Sequence, residues 1–194
     1  MIDALVRRLR RGLWNQMAAW SLLFRQRERA LDFYRRMLAQ DPNDALALAS
    51  IGFQQAQAGE NRAALATFDR VVALVPDNAE YHFNRGYLLQ QLNDHDAAMR
   101  ALRRALECNA DHDRALYGLA LSLIACRRLD EAVAPLKRNT KLQPMSPYGW
   151  YQLARVQFDL GRRDETQKIL DHLMKFEPKV ARQLERETGL KAKS

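Results

Sequence analysis

Residues 45–78 read ALALASIGFQQAQAGENRAALATFDRVVALVPDN. Leu48, Ile51, Gly52 and Gln55 fall on one face of a helix. Ala58-Gly59 ends that pattern. Ala64, Leu65, Phe68, Val71 and Val72 then form a second helical stripe, with Asn61 predicted as its cap. Pro76 stops this second helix, because proline lacks an N–H and clashes with the preceding turn. Asn78 is placed to cap the helix that follows. The stretch is therefore a helix, a short turn and an antiparallel helix.

The same plan recurs along the chain. Pro42, Pro76, Pro144 and Pro178 are separated by 34, 68 and 34 residues, and Ala110 fills the empty slot. Gly52, Gly86, Ala120 and Ala154 repeat at the same step, as do Ala30, Ala64, Ala98 and Ala132. A fixed period of this size indicates stacked supersecondary units and not one globular core. The predicted fold is all-α, an α-solenoid of five helix-turn-helix units at 11–44, 45–78, 79–112, 113–146 and 147–180. Residues 1–10 precede the units as a basic amphipathic helix or extension. Residues 181–194 follow as a capping helix and tail, with Gly189 as the stop. The small columns let paired helices approach closely.

Composition narrows the class. Only 8 Gly and 6 Pro among 194 residues argue against disorder and against a turn-rich β fold. Cys108 and Cys126 are predicted at opposite ends of neighbouring helices, too far apart to bridge, which favours a reducing compartment. No apolar run approaches the ~18 residues of a membrane span. The arginines at 7, 8, 10 and 11 break any secretory leader. The sequence thus reads as cytoplasmic, or peripheral to the inner face of a membrane. The net charge of +8 is concentrated at the two ends, leaving residues 41–112 acidic. Nucleic-acid binding needs a continuous basic stripe and is disfavoured.

No catalytic constellation is present. His82, His95, His112 and His172 fall in different units without metal-ligand spacing, and no phosphate loop or nucleophile elbow occurs. Asp94, Asp96, Asp130, Asp164 and Glu165 lie at predicted helix starts, where capping and the helix dipole account for them. The sequence predicts no enzyme activity, cofactor or metal.

The chain resembles the tetratricopeptide repeat family. The fifth unit carries the family pattern as Trp150, Leu153-Ala154, Gly161, Leu170 and Pro178; the first carries it as Trp14, Met17-Ala18, Ala30, Tyr34 and Pro42. Departures are His82 for Trp, Arg85 for Leu, Asn139 and Thr166 for core Ala, and Pro135 inside a helix. Pro135 predicts a kink costing on the order of 3 kcal/mol. The resemblance implies a right-handed superhelix whose first helices line a concave groove for a protein or peptide partner. The expected groove residues are Phe53, Phe83, Asn84, Tyr87, Arg114, Tyr117, Leu121, Tyr148, Tyr151, Arg155 and Phe158. Phe83, Tyr117 and Tyr151 repeat at the unit step. The family's carboxylate clamp matches only at Asn84 and Arg114, and its Asn ladder keeps only Asn84. A ligand with apolar anchors, such as a helix lying in the groove, is the expectation.

The N-terminal edge is a second expected surface. Ile2, Leu5, Val6, Leu9, Leu13, Trp20, Leu23 and Phe24 share one helical stripe, with the four arginines opposite. Three readings stay open: residues 1–10 fold back at Gly12, the stripe is a homodimer or partner-helix seam, or it is an interfacial membrane helix.

Overall fold

The computed structural model describes the backbone of residues 2–193 and the side chains of residues 5–193. The helices are α1 (Ile2–Leu23), α2 (Arg27–Gln40), α3 (Ala45–Gln57), α4 (Asn61–Leu74), α5 (Ala79–Gln91), α6 (His95–Cys108), α7 (Asp113–Ala125), α8 (Leu129–Leu142), α9 (Pro147–Asp159), α10 (Arg163–Phe176) and α11 (Pro178–Thr188). No strand occurs among the described residues. The helices form two units that meet between Leu92 and Asn93. In the first, α1 to α5 each pack on the next. In the second, α6 to α10 do the same, and α11 packs on both α10 and α9.

The turn inside each hairpin is built on a left-handed residue. Positive φ occurs at Arg25, Gly59, Asn93, Arg127 and Gly161, and each is 34 residues from the next. At four of these turns the following N–H reaches back to the helix end: Gln26 to Ser21, Glu60 to Gln55, Arg128 to Leu123 and Arg162 to Gln157. This is the Schellman closure, which satisfies carbonyls the helix leaves open. Glycine fits it without strain; Arg25 and Arg127 hold the same φ against their own Cβ.

Entry into the first helix of each pair is capped with the same period. Asp44 Oδ1 accepts from the N–H groups of Leu46 and Ala47. Asn78 Oδ1 accepts from Tyr81 N at 3.2 Å. His112 Nδ1 accepts from Ala115 N at 3.3 Å. Ser146 occupies the next cap position ahead of Pro147, but its side chain makes no cap bond. Asn61 is not a cap. It is the first helical residue of α4, and Glu60 precedes it without a side-chain cap bond.

Buried residues follow the repeat columns. Ala18, Ala30, Tyr34, Met37 and Ala47 form one cluster of the first unit, and Leu48, Ala64, Phe68, Val71 and Leu88 form another. A Cβ at Gly52 would come within 2.9 Å of the Phe68 ring, which explains the small residue there. In the second unit Leu102, Leu116, Leu136, Leu153, Leu170 and Leu184 are buried.

Four departures from the family pattern, His82, Arg85, Asn139 and Thr166, have local partners. His82 Nε2 lies 2.8 Å from the Pro76 carbonyl, which can only accept, so this nitrogen carries the proton. Trp150, two repeat steps later, donates Nε1–H to the Pro144 carbonyl at 2.9 Å. Histidine thus replaces tryptophan while keeping its bond to the closing proline. Arg85 pairs with Asp69 at 2.6 Å. The Thr166 hydroxyl is fully buried and donates to the Arg162 carbonyl at 3.2 Å. Asn139 Nδ2 donates to the Asp113 carbonyl at 2.9 Å. Its room comes from Gly149, where a Cβ would sit 2.3 Å from Asn139 Oδ1. Helix α8 runs through Pro135 unbroken over Leu129–Leu142.

One reading of the N-terminus is corrected. Helix α1 continues through Gly12, so residues 2–10 do not fold back. A lone glycine costs a helix only about 1 kcal/mol relative to alanine, too little to break it here.

Two outcomes are expected. Arg127→Gly relieves the left-handed strain and raises unfolding free energy by up to about 1 kcal/mol in urea titration. Gly149→Ala evicts Asn139 and destabilises by roughly 1–3 kcal/mol. Adding Asn139→Ala recovers most of that loss, because the pair then matches Ala105 and Ala115, both fully buried one repeat earlier. A double variant no better than Gly149→Ala alone would show that the two positions are not coupled.

Candidate functional site

Helices α7 and α9 each present a polar-aromatic stripe beside their buried face. On α7 the stripe is Arg114, Tyr117 and Leu121; on α9 it is Tyr148, Tyr151, Arg155 and Phe158. Steps of three and four residues keep each set on one side of its helix. Tyr148 is 71% exposed and Arg114 and Arg155 are exposed, whereas Tyr117, Leu121, Tyr151 and Phe158 are half-buried.

These residues are linked to one another and to α11. The Tyr117 hydroxyl hydrogen-bonds Gln152, and burial pushes this phenol's pKa above its ordinary value. The Tyr151 hydroxyl shares its proton between the two Glu187 oxygens at 2.7 and 2.8 Å. Gln183 Nε2 donates to the Tyr151 oxygen at 3.1 Å and to Glu187 at 2.9 Å. Arg155 lies over the Tyr151 ring, 5.9 Å from its centre, and 3.7 Å from the Glu187 carboxylate. Phenol, amide and guanidinium thus converge on one carboxylate. Burial would raise the Glu187 pKa, but Gln183, Tyr151 and Arg155 outweigh it and hold the carboxyl below the usual range. Burial and the adjacent carboxylate together push Tyr151 upward. Beside this cluster, Arg155, Phe158, Asp159, Glu187 and Thr188 line an open cleft of about 420 Å³.

In the first unit Phe53 on α3 and Tyr87 on α5 are exposed, and Phe83 and Asn84 on α5 are half-buried. Phe83 therefore belongs to a different unit from Tyr117 and Tyr151, although the three repeat at one step.

Sequence reading missed Gln183 and Glu187, which stand among the charged residues of the last helix. No local signal separates a carboxylate that faces solvent from one that meets a groove tyrosine. Gln152 lies two repeat steps after Asn84, where the family's Asn ladder would continue.

At the N-terminal edge Leu5, Leu9, Leu13, Trp20, Leu23 and Phe24 are all exposed, Leu9 to 65%. The Trp20 and Phe24 rings stack with centres 6.2 Å apart. The side chain of Ile2 lies outside the described residues. Among the described residues no helix is long and apolar enough to cross a membrane.

A family model described as tetratricopeptide repeat matches residues 55–113 and 86–138. Residues 55–138 are tetratricopeptide repeats, and the fold of the chain is that of a TPR solenoid. Solved structures with the same fold extend over nearly the whole chain. A crystal structure of MamA protein is 19% identical with a TM-score of 0.78, covering 95% of this chain and 98% of that one. YrrB, described as a TPR protein with an unusual peptide-binding site, is 22% identical with a TM-score of 0.78, covering 89% and 90%. MamA from Desulfovibrio magneticus RS-1, residues 41 to the end, is 20% identical with a TM-score of 0.74, covering 93% and 98%. A search of curated proteins gave no match. At these identities the likeness establishes the shared TPR fold, and the partner has to be argued from this chain's own residues.

Proposed function

We propose that this TPR protein is a non-enzymatic adaptor or assembly scaffold, working in the cytoplasm. Its five units at 11–44, 45–78, 79–112, 113–146 and 147–180 follow a basic N-terminal segment, 1–10, and are closed by 181–194. The binding surface of the second unit comprises the stripes of α7 and α9; in the first unit, taken by itself, the binding residues are Phe53, Phe83, Asn84 and Tyr87. The partner is a peptide or helix with apolar anchors and a neighbouring acidic group.

One observation carries this reading: the aromatic face of α9 holds a carboxylate from its own chain, while Tyr148 beside it stays open to solvent. Aromatics give large contact area with few rotamers to freeze, which suits recognition. The peptide-binding site named for YrrB, a neighbour of the same fold, is consistent with it.

The test is selection from a displayed random-peptide library. Wild type is expected to enrich peptides that combine aromatic or aliphatic residues with Asp or Glu. Tyr117→Ala with Tyr148→Ala is expected to weaken the selected peptides by roughly 2 kcal/mol or more. Loss of the largely exposed Tyr148 should leave the melting temperature nearly unchanged, so Tyr148→Ala alone separates binding from stability, whereas loss of the half-buried Tyr117, bonded to Gln152, lowers it somewhat. Equal binding by the double variant would remove this surface from the function. Glu187→Ala frees Tyr151 and Arg155, and acidic peptides should then bind roughly two- to tenfold tighter, the worth of about one hydrogen bond. Unchanged or weaker binding would show that Glu187 does not stand where the ligand's carboxylate goes.

A second reading adds to the first. The exposed apolar face of α1 is an interaction edge, for a second copy of the chain or for a membrane surface.

A further inference from the structure

We infer that the outward face of α1 seats on a lipid surface rich in anionic headgroups. This assignment rests on the reading of α1 as an interaction edge.

The helix has two faces with different tasks. Ala18 is buried, and Trp14 and Leu22 pack into the cluster formed with Ala30, Tyr34 and Met37 of α2. At 3.6 residues per turn, Leu9, Leu13, Trp20 and Phe24 point to the opposite side. They are exposed, and among the described residues nothing covers them. From Leu5 to Phe24 the strip is about 29 Å long at 1.5 Å per residue.

Charge selects the occupant. Between residues 5 and 24 the helix carries Arg7, Arg8, Arg10 and Arg11 and no acidic residue. Arg11 is engaged by the buried Asp44. Arg7, Arg8 and Arg10 are exposed and pair with no carboxylate among the described residues. Two copies of α1 packed face to face would supply only Asp3 from each to answer four arginines, so self-association has little electrostatic complement. A partner helix of acidic character would also meet the charge, but it would have to pair Gln16, which is exposed within the strip. At a headgroup boundary, water or a headgroup satisfies that amide without a fixed register. The stacked Trp20 and Phe24 suit the headgroup boundary, where amphipathic rings accumulate. An apolar face of Leu, Trp and Phe backed by arginines is the pattern of a helix lying in the interface plane. The arginines keep it from spanning.

The experiment is flotation of the full chain with vesicles of phosphatidylcholine alone and of phosphatidylcholine with phosphatidylglycerol. Trp20 fluorescence is isolated by comparison with Trp20→Phe. Binding at least tenfold stronger to the anionic vesicles, with a blue shift of Trp20, supports the assignment. Leu9→Glu with Trp20→Glu should abolish binding while circular dichroism stays unchanged. Arg7→Gln, Arg8→Gln and Arg10→Gln together should weaken it and reduce its salt dependence. If the double glutamate variant fails to fold, the triple glutamine variant, which leaves the apolar strip intact, carries the test. Equal binding to both vesicle types overturns the charge argument. No vesicle binding, with sedimentation showing a dimer that Leu9→Glu dissociates, overturns the assignment in favour of a second copy. No vesicle binding by a monomer that takes up an acidic amphipathic peptide overturns it in favour of a protein helix. No vesicle binding, no dimer and no peptide binding overturns the reading of α1 as an interaction edge itself.

Discussion

The repeat depends on reversing the chain within a few residues, and the backbone does this with one left-handed residue per hairpin. That residue recurs at 25, 59, 93, 127 and 161. Its N–H and the next one close the carbonyls of the first helix, so the second helix starts in a fixed direction. Everything downstream follows from that direction. The small residues at Gly52 and Ala154 meet the facing helix, the caps fall at 44, 78, 112 and 146, and the closing proline carbonyl comes within reach of His82 or Trp150. Where arginine replaces glycine in this turn, packing of the hairpin overrides a local strain of about 1–2 kcal/mol.

Substitutions that break the family pattern are answered nearby. Histidine at 82 keeps the ring N–H that tryptophan supplies at 150. Asparagine at 139 takes space that glycine at 149 gives up, and in return it satisfies the Asp113 carbonyl. Threonine at 166 brings a hydroxyl into a fully buried position and bonds it within its own helix. A buried polar group without such a partner would cost on the order of 1–3 kcal/mol. These sites are irregular in sequence and satisfied in structure.

The two candidate surfaces differ in what covers them. On α9 the aromatic stripe is partly occupied by α11, whose Glu187 is held by Tyr151, Gln183 and Arg155. A ligand there competes with a contact the chain already makes. On α1 the apolar strip is exposed, and nothing among the described residues covers it.

Sequence alone determined the helices, the period and the buried columns. Each of these is written in local spacing: prolines 34 residues apart, apolar residues three and four apart, and a small residue wherever two helices touch. It also marked the exposed stripe of α1, since Leu9, Trp20 and Phe24 fall off the face that Trp14 and Ala18 use for packing. Tertiary structure decided what periodicity cannot express. Helix α1 passes through Gly12 because a helix tolerates one glycine. Glu60, not Asn61, precedes α4 because the left-handed turn at Gly59 sets the start one residue earlier. Glu187 reaches Tyr151 across 36 residues because α11 packs on α9 as well as α10. That contact depends on where a terminal helix docks, and no neighbouring residue in the chain records it.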